Sequence, residues 1–306
     1  MIYDLAILGG GPAGVAAGVY AARKRLKTVL ITKDWLGQSY VSEGIENWIG
    51  ETKISGLDLS KKLESHVKAY SGDIVDIKEG ELAMLISKGA NGFQINTDKN
   101  RYGARTILIV TGSSRRKLEV PGGKEYDNKG IVYCASCDGP LYSGQDVAVI
   151  GGGNAAFETA AQLLAYCKSV TMLVRSDFRA DQATIDKVLS HPNMKALKGV
   201  VPKEVRGEKF VNGIVYTDTT TKKDALLPVT GIFVEIGSIP NTGFAKDIVA
   251  LDTYGRIITD PKNQRTAADG IWSAGDCTNG LYQQNNIAAG DAVKAIEDIY
   301  LYLHAQ

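Results

Sequence analysis

Apolar and polar positions change rhythm along this chain, and the changes mark out its elements. Asp4-Leu-Ala-Ile-Leu8 is a short apolar run, as expected of a buried strand, and Gly9-Gly10-Gly11-Pro12-Ala13-Gly14 turns it into a helix through Arg23. Thr28-Val-Leu-Ile-Thr32 is the next strand. Residues 36–50 are irregular and polar, a surface loop with Trp48 buried beneath it, and residues 57–70 carry amphipathic helical spacing. The stretch 74–110 alternates like antiparallel strands and ends in Thr106-Ile-Leu-Ile-Val-Thr111-Gly112. Ser113-Ser-Arg-Arg-Lys117 then reads as a linker.

The same strand–turn–helix pattern recurs at Val147-Ala-Val-Ile-Gly151-Gly-Gly153-Asn-Ala-Ala156. Its helix has an apolar face of Ala156, Ala160, Leu163 and Leu164, with Glu158 expected in the first turn, where a carboxylate suits the helix dipole. Val170–Val174 is the strand that follows, and Gly231–Gly237 is a further one leading to Ser238-Ile-Pro240-Asn241, a second crossing between domains. Residues 254–260 and 270–274 are predicted as strands. A C-terminal helix from about 284 has apolar spacing at Ile296, Ile299, Tyr300 and Leu303. The predicted class is α/β, with two Rossmann-like dinucleotide-binding domains. The first is discontinuous (1–114 and 240–306), and the second is inserted at 115–239.

Gly9, Gly11 and Gly14 fit G-x-G-x-x-G in its proper setting, between a strand and a helix. One glycine permits the tight turn, one admits a pyrophosphate to the backbone, and one lets helix and strand pack closely. The helix N-terminus adds amides and a positive dipole end. A ribose is held at the tip of the following strand, where Lys33 and then Asp34 stand in the first unit. At the second tip the sequence is Arg175-Ser176-Asp177-Phe178-Arg179. An acid there holds the 2′-hydroxyl of NADH and arginines hold the 2′-phosphate of NADPH, so this tip leans towards NADPH; basic residues at a strand end are also often merely solvated.

Charge and composition exclude several classes. The chain has 306 residues, enough for two domains, and Lys plus Arg (35) balances Asp plus Glu (34). No global field therefore points to nucleic acid or an anionic membrane. No apolar run approaches the roughly 18–20 residues of a membrane span. The chain enters a strand pattern at once, leaving no room for a signal peptide, and four cysteines with one close pair do not make a secreted disulfide framework. The expected setting is cytoplasmic.

The close pair carries the chemistry. Cys134-Ala-Ser-Cys137-Asp138 holds two thiols three positions apart, followed by a carboxylate. The sulfurs can close a small disulfide ring or stand as a dithiol, and the acid can move the proton that exchange needs. Half of a zinc site is the competing reading, but zinc wants four ligands; Cys167 and Cys277 are isolated, and His66, His191 and His304 lack suitable spacing. No metal is expected, and Cys167 and Cys277 read as buried small residues.

The order of these motifs resembles the low-molecular-weight thioredoxin reductases and the flavoprotein part of alkyl hydroperoxide reductase. The resemblance runs through Gly9–Gly14, Gly37-Gln38, Asn47, Thr111-Gly112, Val120-Pro-Gly122, Cys134–Gly139, Gly151–Ala156, Gly231–Asn241 and Gly275-Asp276. It implies FAD at Gly9, Gly11, Pro12, Ala13, Gly14, Thr32 and Lys33, with Gln38, Asn47, Thr111 and Gly112. Gly275 and Asp276 would serve the ribitol and pyrophosphate, and Gln283, Gln284 and Asn285 would complete that site. It implies a nicotinamide nucleotide at Gly151, Gly153, Asn154, Ala155 and Ala156, with Arg175 and Arg179 on the 2′-phosphate of NADPH. By position, Cys137 would face the flavin, Cys134 would attack the protein substrate and Asp138 would manage the proton.

The resemblance further implies a homodimer and a separate thioredoxin- or glutaredoxin-like protein as acceptor, because the hydroperoxide reductase flavoprotein has an N-terminal thioredoxin-fold domain absent from this sequence. A rotation about the crossings near 113–117 and 238–242 would serve nicotinamide and dithiol in turn. Leu36, Ser176 and Gln283 depart from the family pattern. The donor therefore stays open between NADPH, NADH and ferredoxin, and a flavin-bound redox sensor or electron carrier without sustained turnover is the reading from another class.

Overall fold

The computed structural model describes residues 2–42, 44–89 and 91–304. The chain divides into two compact units, residues 1–114 with 239–306 and residues 115–238.

The first unit opens with β1 (Ile2–Leu8), α1 (Pro12–Arg23) and β2 (Thr28–Thr32). Pro12 occupies the first turn of α1, where its missing N–H costs nothing. After one turn of 3-10 helix at Gln38–Val41 comes α2 (Gly56–Lys68), whose N-terminus is capped by Ser55 Oγ accepting from the Asp58 N–H at 3.0 Å. Strands β3 (Val75–Glu79), β4 (Ala83–Gly89), β5 (Gly92–Thr97) and β6 (Arg101–Ile109) follow, then the short β7 (Ser113–Arg115) at the first crossing.

The second unit runs through β8 (Ile131–Val132), α3 (Ala135–Asp138), β9 (Asp146–Ile150), α4 (Asn154–Leu163), β10 (Ser169–Val174), α5 (Gln182–Leu189) and β11 (Met194–Lys198). An antiparallel meander of β12 (Val200–Gly207), β13 (Val211–Asp218) and β14 (Asp224–Leu227) precedes β15 (Gly231–Val234). The second crossing is β16 (Ser238–Pro240), which pairs with β7. The chain closes the first unit with β17 (Ile271–Ser273) and α6 (Asn285–His304).

In the first unit β3, β2, β1, β6 and β17 are parallel neighbours, and β4 and β5 extend the sheet antiparallel from β6. Glycines and alanines let α1 approach its neighbours: a Cβ on Gly18 would lie 2.7 Å from Val67 Cγ2 of α2. Ile296, Ile299 and Leu303 of α6 are buried in the core shared with α1, each worth about 1.5–3 kcal/mol of apolar burial. In the second unit β11, β10, β9, β15 and β8 form a parallel sheet.

The expected α/β class with two Rossmann-like units holds, with four local differences. β3 runs parallel to β2, not antiparallel within the 74–110 stretch, because it completes the strand–helix–strand crossover through α2. Residues 254–260 do not form a strand: Ile257 alone is pinned, by single bridges to Leu251 and Thr278, and Tyr254 is 74% exposed. Glu158 is the fifth residue of α4 and lies past its first turn. Trp48 is only half-buried, against Ile45, Ile54 and Leu59, whereas Trp35 is buried in the main core. Cys167 and Cys277 are buried, as the sequence reading expects.

Candidate active site

In the first unit the sequence-selected residues gather at the C-terminal ends of the parallel strands. Gly9 ends β1 with a φ of 125°, and a Cβ there would lie 2.4 Å from the Val110 carbonyl oxygen beyond β6. A Cβ on Gly14 would lie 1.9 Å from the Gly9 carbonyl oxygen, so α1 can begin this close to β1 only with glycine there. A Cβ on Gly11 would meet nothing within 4 Å. Two of the three glycines therefore serve the turn and the third leaves its backbone approachable, which is the division of labour a pyrophosphate cradle needs.

The other walls of this cradle are tied by side chains. Gln38 Nε2 donates to Asp276 Oδ2 and to Ser113 Oγ, both at 3.1 Å. Asn47 Nδ2 donates to Gln284 Oε1 at 3.2 Å, and Asn285 Nδ2 donates to Ser39 Oγ at 2.9 Å. A Cβ at Gly275 would stand 3.6 Å from Ala13 Cβ and 3.2 Å from Ala288 Cβ, so the Gly275-Asp276 turn meets the starts of α1 and α6. Thr111 Oγ1 donates to the Asn241 carbonyl at 2.7 Å, Gly112 has a φ of 64°, and Gln283 is half-buried at the approach to α6. Thr32 abuts Gly10, and its hydroxyl donates to the Asp34 carbonyl at 2.5 Å. Lys33 is exposed and makes no ion pair among the described residues. Ser113, Asn241 and Asn286, whose Nδ2 donates to the Asn47 carbonyl at 2.7 Å, are members that sequence reasoning missed, and only their pairing across more than 70 residues reveals them.

The second unit repeats the turn. Gly151 has a φ of 145°, and a Cβ there would lie 2.4 Å from the Glu235 carbonyl oxygen; a Cβ at Gly153 would meet nothing within 4 Å. Ala156 is buried, while Asn154 and Ala155 are exposed at the start of α4. Asn154 Oδ1 accepts from the Asp181 N–H at 2.9 Å, and the Arg179 N–H donates to the Gly152 carbonyl at 2.7 Å, so the segment after β10 lies against the turn. Arg175 and Arg179 are both exposed. Glu235 was missed: its carboxyl is buried, its Oε1 accepts from Thr159 Oγ1 at 2.8 Å, and Arg115 lies 3.8 Å away. Burial pushes this carboxyl above its ordinary range, partly offset by Arg115.

The same unit carries the redox pair. Cys134 and Cys137 are joined as a disulfide with their Cα atoms 5.3 Å apart. Cys134 is the N-cap of α3, and its Sγ accepts from the Cys137 N–H at 3.2 Å. α3 rests on α4: Ala135 is buried with Ala156, Phe157 and Leu163, and Ser136 Oγ donates to Gln162 Oε1 at 2.8 Å. The helix that begins at the second glycine turn thus also seats the disulfide. Ahead of it, Tyr133 donates to Asp127 at 2.8 Å and Lys117 holds the other oxygen of Asp127 at 2.7 Å, fixing the residue before Cys134. Burial pushes the Asp138 carboxyl up to about 6, inside the range in which a group can both take and give a proton near neutrality. No group of three or more His, Cys, Asp or Glu side chains that could hold a metal ion occurs among the described residues.

Known proteins are similar to this chain over nearly its whole length. The family model described as pyridine nucleotide-disulphide oxidoreductase matches residues 3–292. One alkyl hydroperoxide reductase component, that of Pseudomonas putida, is 39% identical over 296 residues, covering 96% of this chain and 56% of that protein. A Bacillus subtilis (strain 168) protein named NADH dehydrogenase is 36% identical over 303 residues, covering 98% of this chain and 58% of its own length. The chain thus spans little more than half the length of these curated relatives. Among solved structures, thioredoxin reductase from Streptococcus pyogenes MGAS5005 matches with a TM-score of 0.90 and 32% identity, over 100% of this chain and 99% of that one. Thioredoxin reductase from Giardia duodenalis gives 0.90 and 30% over 98% of each chain. A disulfide seated on the helix of a second glycine turn, with a matching turn in the other unit, and these similarities lead to one conclusion: the chain belongs to the pyridine nucleotide-disulphide oxidoreductase family.

Proposed function

We propose that this chain is an NADPH-dependent reductase that delivers electrons through the Cys134–Cys137 disulfide to a thioredoxin-like protein. The observation that carries this is the disulfide itself, half-buried on α4 beside a carboxyl raised to about 6. The glycine cradle of the first unit, with Gln38, Asp276, Asn47 and Gln284, would hold FAD; the turn at Gly151–Ala156 and the cations at Arg175 and Arg179 would hold the nucleotide. Bound FAD supplies a two-electron carrier between a pyridine nucleotide and a disulfide.

The protein's own groups then do the following. The Cys134–Cys137 bond breaks on receiving two electrons, leaving one thiolate and, after a proton arrives from Asp138, one thiol. Cys134 Sγ is the attacking sulfur: with its bond to Cys137 broken, it keeps the Cys137 amide as a donor that favours the thiolate. It attacks one sulfur of the substrate disulfide and releases the other as a thiolate, which takes up a proton. Cys137 then displaces the second substrate sulfur and restores the internal disulfide, so each cycle consumes two electrons and two protons. Asp138, the neighbour of Cys137 in the chain with a carboxyl raised to about 6, would relay these protons.

A second donor, NADH, is favoured by one observation: Asp177 puts a carboxylate at the β10 tip, where an acid suits a ribose 2′-hydroxyl. The working unit is expected to be a homodimer, read by analytical ultracentrifugation. The function is tested by anaerobic mixing of the FAD-loaded chain with NADPH or NADH, followed by thiol mapping. The expected result is faster reduction by NADPH and two new thiols, at Cys134 and Cys137, that pass to a thioredoxin. Absence of new thiols with either nucleotide overturns it.

A further inference from the structure

Two strands of the second unit, β10 and β11, end side by side, and Val174 is the register partner of Lys198. That pairing brings to the β10 tip a cation lying 23 positions from Arg175 in sequence. Lys198 Nζ lies 2.5 Å from Asp177 Oδ1 and 4.9 Å from the centre of the Phe178 ring, so its ammonium stands beside these two residues of the segment that follows β10. The same segment is held against the second glycine turn by the Arg179–Gly152 and Asp181–Asn154 hydrogen bonds. In a strand–turn–helix–strand unit, the ribose nearest the adenine rests at this second strand's tip.

The charges at the tip are mixed. Arg175 and Arg179 are exposed and form no ion pair among the described residues, and Ser176 between them is uncharged. Asp177 opposes them. A 2′-phosphate, bearing close to two negative charges, is repelled by a bare carboxylate at this point, whereas a ribose 2′-hydroxyl is welcomed by it. Lys198 decides between these outcomes. It cancels Asp177, and its ammonium has three donors of which Asp177 takes one. The pair is exposed, with 89% of the Asp177 side chain accessible, so it holds weakly and the ammonium can turn to a stronger anion.

We propose that Lys198, together with Arg175, forms the subsite for the 2′-phosphate of NADP(H), and that the Lys198–Asp177 balance sets the preference between the two nicotinamide nucleotides. This rests on the reading of the second unit as the nucleotide-binding one. Lys198 contributes a cation from a neighbouring strand and silences the one acid that would favour NADH. Neither contribution touches the reacting end of the nucleotide, so the effect belongs to binding and to preference.

The test is calorimetric titration of the FAD-loaded full chain with NADP+ and with NAD+ at fixed low salt, for the unsubstituted protein, Lys198→Gln and Asp177→Asn. The expected result is about tenfold weaker NADP+ binding in Lys198→Gln with NAD+ unchanged or tighter, since one charge-assisted contact is worth about a factor of ten. Asp177→Asn is expected to tighten NADP+ severalfold. Unchanged NADP+ affinity in Lys198→Gln, or weaker NADP+ binding in Asp177→Asn, overturns the inference while leaving the donor reading intact. Failure of the unsubstituted chain to bind either nucleotide overturns both.

Discussion

Cys134 Sγ accepts a hydrogen bond from the backbone N–H of Cys137 at 3.2 Å, so one sulfur of the redox pair caps the turn that carries the other. After reduction this amide favours the charged form of Cys134, whereas Cys137 Sγ is offered no such donor among the described residues. The Cys137→Ser variant keeps the amide and should show a Cys134 thiol titrating below the ordinary value of about 8.5. Iodoacetamide alkylation rate against pH reads it; a midpoint at or above 8.5 removes the basis for making Cys134 the attacking sulfur.

Asp138 gives a pH signature in stability. Burial raises its carboxyl from 3.8 to about 6, so the folded protein holds this proton more firmly than the unfolded chain. The stabilisation is fully present below the unfolded value of 3.8 and is lost as pH rises through about 6, a change of about 3 kcal/mol at 1.36 kcal/mol per unit. Asp138→Asn has no proton to lose. The oxidised variant should therefore gain stability relative to the parent between pH 4 and pH 7, as read by urea unfolding at the two pH values, and a constant difference would contradict the raised value.

The same substitution should slow reduction of a protein disulfide by about 10²-fold, the usual contribution of a positioned general acid–base group. Stopped-flow thiol transfer at pH 7 measures this. The Cys134–Cys137 bond itself should still form in the variant, because α3 is held by Ala135 in the core and by Ser136 on Gln162, not by Asp138.

What the sequence revealed follows from the range of each interaction. Both glycine turns and the Cys-x-x-Cys pair lie within short spans, and their physics is local: Gly14 is excluded from having a side chain by Gly9, five positions away. The direction of β3 was not legible, because a parallel edge strand and an antiparallel one show the same half-buried alternation. The meander β12–β14 escaped because register shifts at Pro202/Glu204 and Arg206/Gly207 break the period of two. Lys198, Ser113 and Glu235 became visible only once strand ends were laid beside one another. Their partners Asp177, Gln38 and Thr159 are between 21 and 76 positions away.

The two kinds of glycine in the first cradle should separate stability from cofactor retention. Gly14→Ala puts a methyl 1.9 Å from a backbone oxygen and should cost at least about 2 kcal/mol, since nothing flexible can give way. Gly11→Ala has a φ of −71° and touches nothing within 4 Å, so the chain should fold with an unchanged Tm once flavin is removed. It should nevertheless purify with much less FAD, because the methyl occupies the approach to the pyrophosphate. Flavin absorbance per chain and the Tm of the flavin-free proteins read the two effects. Equal flavin content in Gly11→Ala and the parent would argue against this cradle.

Glu235 and Arg115 extend the argument to the second turn. The Glu235 backbone carbonyl packs against Gly151, and its carboxyl is buried with a hydroxyl from Thr159 and the Arg115 guanidinium 3.8 Å away. Its proton affinity is raised by burial and lowered again by Arg115, with burial the larger influence. The cost of ionising it appears as pH rises above the ordinary carboxyl value of 4.5, and Arg115 offsets part of that cost. Arg115→Ala should therefore be nearly neutral at pH 4, where the carboxyl is protonated in both states, and destabilising at pH 8. Combining it with Glu235→Gln should abolish that pH dependence, because an amide leaves no charge to offset. Chemical unfolding of the single and double variants at both pH values measures the coupling, and a pH-independent effect of Arg115→Ala would show that the guanidinium acts through packing alone.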